Sequence, residues 1–336
     1  MQRSAGSARL PDAALLVVAA MWGASYLATK TVADDLPATL VLALRFLPSA
    51  ALITLYAAIA GVRPTARDTL RIGLVLAALQ AITLLLETHG VARTSAANAG
   101  VIISLAILLA PMAESRLAGR VLPASFYAAA GVALVGVVVI IGAHGFSSPN
   151  LGDLLMLLAA CSRSVLVVVS ARLVSTSSTG ATGSTGATNI IALSVIQNAF
   201  NAILFTALDP IGLVHATHAL TADQWAAIAF LGIGCTLAAF GLQLWAISRT
   251  SASRASLLMG TEPVWAVAAG CLLGGERLTP LTIAGSVLVV AATFAGQRIE
   301  TRWRLAVGSG RQRQNTNSAH PYEATAPETP ESSKIQ

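Results

Sequence analysis

The chain has 336 residues, of which 55% are hydrophobic and only 11% are charged. Soluble domains average about 45–50% apolar and about 25% charged residues, so this composition excludes an ordinary soluble enzyme, a disordered scaffold and a disulfide-stapled secreted domain. The net charge of +6 comes from basic residues scattered between apolar runs, and aromatic residues make up only 5% of the chain. A nucleic-acid groove needs clustered cations and stacking aromatics, so no nucleic-acid partner is expected.

Apolar segments follow one another along the chain, and most reach the roughly 20 residues that a helix needs to cross a bilayer. Small residues are abundant in all of them, which favours close packing between helices in lipid. The sequence therefore predicts an all-α polytopic membrane protein whose surroundings are the lipid bilayer. Its ten predicted transmembrane helices cover 12–31, 38–60, 70–91, 95–116, 123–143, 152–174, 188–208, 224–247, 252–274 and 280–298.

The segments divide the chain into two groups of five, 12–143 and 152–298, preceded by a short N-terminus at 1–11. Residues 175–188 contain only Ser, Thr, Gly and Ala, which is typical of a flexible linker. Residues 299–336 are polar and rich in Ser, Thr, Pro, Arg and Glu, so we expect a disordered tail there.

The distribution of Lys and Arg predicts the orientation. With ten spans, most of the basic residues outside the spans fall on the side of the two termini. Before the tail, the opposite side receives only Lys30, Arg93 and Arg277. Because cytoplasmic loops carry an excess of Lys and Arg, both termini are expected in the cytoplasm.

Two stretches recur at a constant offset of 156 residues. Arg93–Ala96 reads RTSA and recurs as Arg249–Ala252, and the spacing of Leu117, Gly119 and Leu122 recurs at 273, 275 and 278. A five-span unit that is repeated must enter the membrane in opposite senses, because five is odd. The sequence therefore predicts two inverted five-helix repeats, the architecture of many secondary transporters.

Several motifs in this order resemble the drug/metabolite transporter superfamily, in its EamA-type exporter branch. The resemblance covers about residues 12–298, although the first repeat has Arg120 where the second has Glu276. It implies an exporter in the inner (plasma) membrane. The matching stretches are Met21–Tyr26 (MWGASY), Arg45–Phe46, Leu151–Leu154 (LGDL), Gln243–Ala246 with Arg249–Ala252, Glu262–Ala266 (EPVWA) and Gly275–Leu278 (GERL).

Few ionisable side chains lie inside the predicted spans, and each needs a partner or a task because a charge at membrane depth is costly. Glu262 lies halfway along the ninth segment and precedes Pro263, which opens a helix locally. Its carboxylate is a candidate for binding a cationic substrate group or carrying a proton. A structural ion pair is the open alternative.

Arg163 lies in the middle of the sixth segment and is the expected partner of Glu262 if the two halves face each other. Alternatively, Arg163 holds a substrate carboxylate and Glu262 an ammonium group, an arrangement that suits a zwitterion such as an amino acid. Arg45 and Glu87 both lie near the outer ends of their segments, the second and the third. They form a second possible pair, which is more typical of a structural role.

Six further polar or aromatic side chains are candidates for lining a transport pathway: Trp22, Tyr26, Gln80, Gln243, Trp245 and Trp265. No metal site or cofactor is expected. The three cysteines lack CxxC spacing, His215 and His218 have no further ligands nearby, and the chain has no P-loop.

These observations predict a secondary transporter and no enzyme activity. It would export a small metabolite or drug-like compound by proton exchange or facilitated diffusion, with alternating access. The alternative from another class is an integral-membrane transferase with an active site at one membrane face, and a channel is a third possibility. A homodimer is left open.

Overall fold

The computed structural model describes residues 9–62, 67–142, 150–177, 184–247, 249, 255 and 258–318, and these residues are mainly helical. A π-helix covers Phe230–Ala238. The α-helices, in chain order, are α1 Arg9–Ala33, α2 Ala38–Ile59, α3 Arg67–Val91, α4 Ala96–Ile103, α5 Ala106–Leu117, α6 Ala124–Gly142, α7 Leu151–Ser177, α8 Ser184–Leu208, α9 Pro210–Ala219, α10 Ala222–Ala229, α11 Ala239–Ile247, α12 Glu262–Leu272 and α13 Pro280–Ser318.

Eight helices in the described part of the chain are long and apolar enough to cross a membrane. Two shorter apolar helices, Ala124–Ile140 and Glu262–Leu272, correspond to the predicted fifth and ninth segments. The all-helical, multi-pass class is therefore confirmed, whereas the number ten is not. Part of the ninth segment, at 252–254 and 256–257, lies outside the described residues.

The helices extend into two stretches that the sequence assigns to a linker and a tail. Helix α7 ends at Ser177 and α8 begins at Ser184, so only 178–183 of the predicted linker lies outside the described residues. Helix α13 continues to Ser318, so it covers residues 299–318 of the stretch predicted as a tail. An ion pair between Glu300 and Arg304, one turn apart, supports the helix there.

The backbone repeats the same interruption in both halves. Helices α4 and α5 are separated by a turn at 104–105, and a turn at 260–261 precedes α12 at the same offset of 156. Each broken segment then ends at a glycine with positive φ, Gly119 at 63° and Gly275 at 65°. A positive φ favours glycine because it lacks a Cβ atom. The two-repeat architecture is thus present in the backbone as well as in the sequence.

Helices α1, α4 and α12 cross in close contact near the centre of the molecule. A Cβ atom on Gly23 would lie 2.6 Å from the Cβ of Trp265 and 2.7 Å from the carbonyl oxygen of Glu262. A Cβ atom on Gly100 would overlap the Cβ of Ala266 and crowd the ring of Tyr26. These glycines let the first repeat approach the backbone of α12, which fixes the position of Glu262.

We expect Gly100→Ala to lower the thermal unfolding midpoint of the detergent-purified chain clearly. The added methyl must separate α4 from α12, and such overpacking costs about 1–3 kcal/mol. Gly131→Ala is the matched control, because a Cβ atom at Gly131 has no neighbour within 4 Å and alanine suits a helix better than glycine. Equal midpoints for the two variants would contradict the close crossing.

The π-helix offers backbone carbonyls that side chains of the first repeat bind. Trp22 Nε1 donates to the carbonyl oxygen of Cys235 at 3.2 Å, and Ser49 Oγ donates to that of Gly232 at 2.8 Å. π-Helical segments are rare and occur often near functional sites. Here the segment connects α1 and α2 to the second repeat beside Trp22.

Candidate functional site

Two carboxylates and one guanidinium meet where the two repeats face each other. Arg163 Nη2 of α7 donates to Glu87 Oε2 of α3 at 2.7 Å, and Arg163 Nη1 lies 3.6 Å from Glu262 Oε1. The hydroxyl of Tyr26 on α1 donates to the same Glu262 oxygen at 2.5 Å. These four residues, Tyr26, Glu87, Arg163 and Glu262, are the central cluster below.

The ionisable groups of the central cluster are largely buried. The side chains of Glu87, Glu262 and Arg163 are 9%, 13% and 28% exposed. With both carboxylates ionised, two negative charges face one positive charge, so the cluster carries a formal charge of −1. An uncompensated charge in a buried site is costly.

Local helix geometry sets the position of Glu262. It is the first residue of α12, directly after the turn at 260–261, and Pro263 occupies the first turn of that helix. Proline suits this position because the first amides of a helix have no intrahelical acceptor. The helix N-terminus also favours the negative charge of the Glu262 carboxylate. The predicted local opening at Pro263 is therefore a helix start in the structure.

A cavity of about 650 Å³ lies against the central cluster. Arg163, Glu262 and Trp22 line its inner end, and on α5 and α7 the lining continues to Glu114 and Ala171. From Arg163 to Ala171 the helix rises by roughly 12 Å. The cavity thus runs from the centre toward the end of the molecule where α5 and α7 end.

Charged side chains also surround the other end of this cavity, called the mouth below. Arg304 Nη2 of α13 contacts Glu114 Oε2 of α5 at 2.5 Å, and Arg304 also pairs with Glu300. The side chains of Arg304 and Glu114 are 50% and 45% exposed, far more than those of the central cluster. The pair connects the two repeats across the mouth, where solvent weakens it.

The structure brings together three of the predicted ionisable residues and separates the fourth. Arg163 and Glu262 pair as expected, and Glu87 makes the shorter contact with Arg163. The possible pair of Arg45 with Glu87 does not form, because Arg45 Nε donates to Thr236 Oγ1 at 3.2 Å. Helix α3 packs along α7 and turns Glu87 toward Arg163 instead.

Of the other predicted pathway residues, Trp22 lines the cavity. Trp265 is 40% exposed and donates through Nε1 to Thr261 Oγ1. Gln80 Oε1 accepts from Asn201 Nδ2 at 3.3 Å between α3 and α8. Gln243 is half-buried. Among the described residues, the cavity lining does not include Trp265, Gln80 or Gln243.

Two contacts of the site are not predicted by the sequence. Tyr26 is one of the pathway candidates, and its position one turn after Trp22 places it on the same helix face, but its bond to Glu262 crosses between the repeats. Arg304 and Glu300 at the mouth fell in the predicted tail. Their spacing of four residues was the available signal for a continuing helix.

Comparisons with known proteins agree with this architecture. A search of curated proteins finds no significant match. A solved crystal structure described only as "Crystal structure of protein" shares 20% identity with a TM-score of 0.56, and the match covers 85% of this chain and 97% of that chain. At that identity the likeness shows the fold alone.

The sequence pattern described as the EamA-like transporter family matches residues 10–142 and 150–295. The two matches together cover most of the chain, and each falls on one of the repeats. The resemblance seen in the sequence motifs is therefore confirmed, and the chain belongs to the EamA-like transporter family of multi-pass membrane transporters.

Proposed function

We propose that this protein is a secondary transporter that exports a small metabolite or drug-like compound in exchange for a proton. The observation that carries the proposal is the central cluster at the inner end of the cavity, where one guanidinium faces two buried carboxylates. Such a cluster has room for one further positive charge. A proton and a cationic substrate group then compete for the same place.

The geometry favours Glu262 as the exchanging carboxylate. Glu87 forms the shorter bond to Arg163, at 2.7 Å against 3.6 Å for Glu262, so Glu87 is the fixed partner of the guanidinium. Glu262 lines the cavity and takes the proton or the substrate cation. Proton binding and substrate binding at one carboxylate exclude each other, which is the requirement for exchange.

The charges also support a substrate class. Both Nη atoms of Arg163 already face carboxylates, so a substrate carboxylate must displace one of them. An amine or another cationic group adds to the cluster without that cost. Trp22 and the apolar side chains that line the cavity then bind the rest of a partly apolar molecule. A zwitterion is accommodated only if Arg163 releases Glu262.

The proposed transport cycle is alternating access between two inverted five-span repeats, with the short helices α6 and α12 included as spans. Basic residues favour a cytoplasmic location for both termini in the inner membrane. The mouth lies on the same side as the C-terminal ends of α5, α7 and α13, so the cavity then opens to the cytoplasm. That is the loading conformation for an exporter. A homodimer stays a proposal without a contact that supports it.

Three other functions give different results in the same assays. Facilitated diffusion moves the substrate without protons, as does a channel. An integral-membrane transferase produces a modified compound, and its function would depend on residues at one membrane face rather than on the central cluster.

The proposal predicts that cells overproducing the protein secrete at least one cationic compound that cells overproducing Glu262→Ala do not. The extracellular metabolites of the two strains are compared by mass spectrometry at equal membrane levels of protein. Asp34→Asn is the matched control, because Asp34 is an exposed carboxylate far from the cavity, and it should secrete like the wild type. Identical profiles for wild type and Glu262→Ala would contradict the exporter.

A further inference from the structure

The second repeat provides a cap for a helix of the first repeat. Glu276 follows α12, and its Oε1 and Oε2 atoms accept from the backbone amides of Ala96 at 2.6 Å and Ala97 at 3.0 Å. These amides belong to the first turn of α4, where the backbone donors have no intrahelical acceptor. A carboxylate there also interacts favourably with the helix dipole. The two bonds are called the inter-repeat cap below.

The same segment of the first repeat is held at a second point. Thr94 Oγ1 donates to Asp153 Oδ1 at 2.5 Å, and Asp153 is fully buried at the start of α7. A Cβ atom on Gly152 would lie 2.6 Å from the carbonyl carbon of Arg93, so the backbones are in contact. The connection from α3 to α4 is therefore enclosed by two parts of the second repeat.

These contacts lie at the end of the molecule opposite the mouth. Helix α12 begins at Glu262 beside the cavity and extends roughly 15 Å before it reaches the loop of Glu276. On the other side of Glu262 along the chain, Met259 and Gly260 line the cavity. The inter-repeat cap therefore joins the repeats at the closed end while the cavity opens at the other.

The first repeat has no equivalent of this carboxylate. Gly119 and Gly275 are 156 residues apart and both have a positive φ. The residue directly after each glycine can therefore be compared between the repeats. That residue is Glu276 in the second repeat and Arg120, which is exposed, in the first. A guanidinium has only donors, so Arg120 cannot accept bonds from backbone amides. The inverted repeats are thus unequal at this position.

We infer that the inter-repeat cap biases the protein toward the conformation that is closed at the Glu276 end and open at the mouth. The alternate conformation requires the closed end to separate, and this breaks two hydrogen bonds to a charged group. Arg120, at the matching position of the first repeat, cannot accept such bonds at the mouth end. The inference rests on the proposed transport cycle, and it assigns Glu276 the control of which side is open at rest.

The test measures the distance across the closed end in the full chain in lipid nanodiscs. Spin labels are placed on the exposed positions 93 and 277 after the three native cysteines are replaced, and the distance distribution is recorded by pulsed electron paramagnetic resonance. We expect one short distance with Glu276 intact. In Glu276→Ala the population with the longer distance, relative to the population with the shorter one, should rise at least about tenfold. Hydrogen bonds to charged groups are stronger than those between neutral groups, so their loss shifts the equilibrium strongly.

Ser95→Ala is the matched control. Ser95 Oγ also caps α4, by accepting from the amide of Asn98 at 3.0 Å, but it belongs to the same repeat as that helix. Its loss weakens α4 without releasing the second repeat, so the distances should stay unchanged. Glu276→Gln, which keeps one neutral acceptor, should give an intermediate ratio of the two populations. If Glu276→Ala does not fold, the inference is tested with Glu276→Gln instead.

Unchanged distances in the folded Glu276 variants, or an equal change in Ser95→Ala, would overturn the inference. The measurement needs no substrate and no transport. Identical metabolite profiles for wild type and Glu262→Ala would therefore contradict the proposed function and leave the distance result standing, and the converse also holds.

Discussion

Replacing Arg163 by glutamine is expected to destabilise the protein more than any other single change in the central cluster. The substitution leaves Glu87 and Glu262 buried without a cation. Removing one partner of a buried ion pair costs about 3–5 kcal/mol because the remaining charge has no compensation. The thermal unfolding midpoint of the purified chain in detergent should fall accordingly, with less monodisperse protein in size-exclusion chromatography.

Two variants separate charge balance from simple loss of packing. The triple variant Glu87→Gln, Arg163→Gln and Glu262→Gln has the same glutamine at position 163 and no buried charge, so it should recover most of the lost stability. Arg163→Lys keeps the charge, but a single ammonium cannot reproduce two separate Nη contacts and should be intermediate. A triple variant no more stable than Arg163→Gln would contradict the charge argument.

The sequence predicts the fold through signals that act within one segment. Length and apolar composition predict the helices, and the RTSA repeat with Gly119 and Gly275 predicts the two halves. The interruption at 260–261 is also visible, because Pro263 marks it. The matching interruption at 104–105 is not, since Ile107 stands at the position that matches Pro263 and only the symmetry of the repeat explains the turn.

The central cluster was only partly predictable, because its partners come from four different helices. The cost of burying charge identifies Glu87, Arg163 and Glu262 one by one, but the sequence does not say which helix faces which. The packing of α3 along α7 decides that Glu87 joins Arg163, and the bond between Thr83 and Ser162 at 2.7 Å lies in the same interface. Arg45 has the same sequence signal and instead contacts the π-helix.

The helix after residue 298 could not be predicted from composition. Polar composition predicts disorder after residue 298, yet composition ignores the spacing of Glu300 and Arg304 and the carboxylate that Glu114 presents on α5. The contact of Arg304 with Glu114 stabilises this helix in addition to the pair of Glu300 with Arg304.

Glu262→Gln is expected to have the largest effect on coupling. The amide is close in size to the carboxylate and still accepts from Tyr26, so the fold should be kept. It carries no exchangeable charge, so the cluster becomes neutral through Glu87 and Arg163 alone. A proton gradient should then no longer drive transport, and the rate should lose its dependence on pH.

Glu114→Gln is the matched control for this variant. It changes a carboxylate of the same cavity, but at the exposed mouth, where the pair with Arg304 contributes little. Its transport should still respond to the proton gradient. An equal loss in both variants would assign the effect to the charge of the cavity as a whole and not to Glu262.

The central claim is that one proton leaves Glu262 as the substrate binds. It is tested most directly in proteoliposomes that enclose a fluorescent pH indicator, with the cationic compound from the metabolite comparison added outside. The proposal predicts that the internal pH rises as the compound enters, in the wild type and in Glu114→Gln but not in Glu262→Gln. Entry of the compound through the wild-type protein without any change of internal pH would contradict proton exchange.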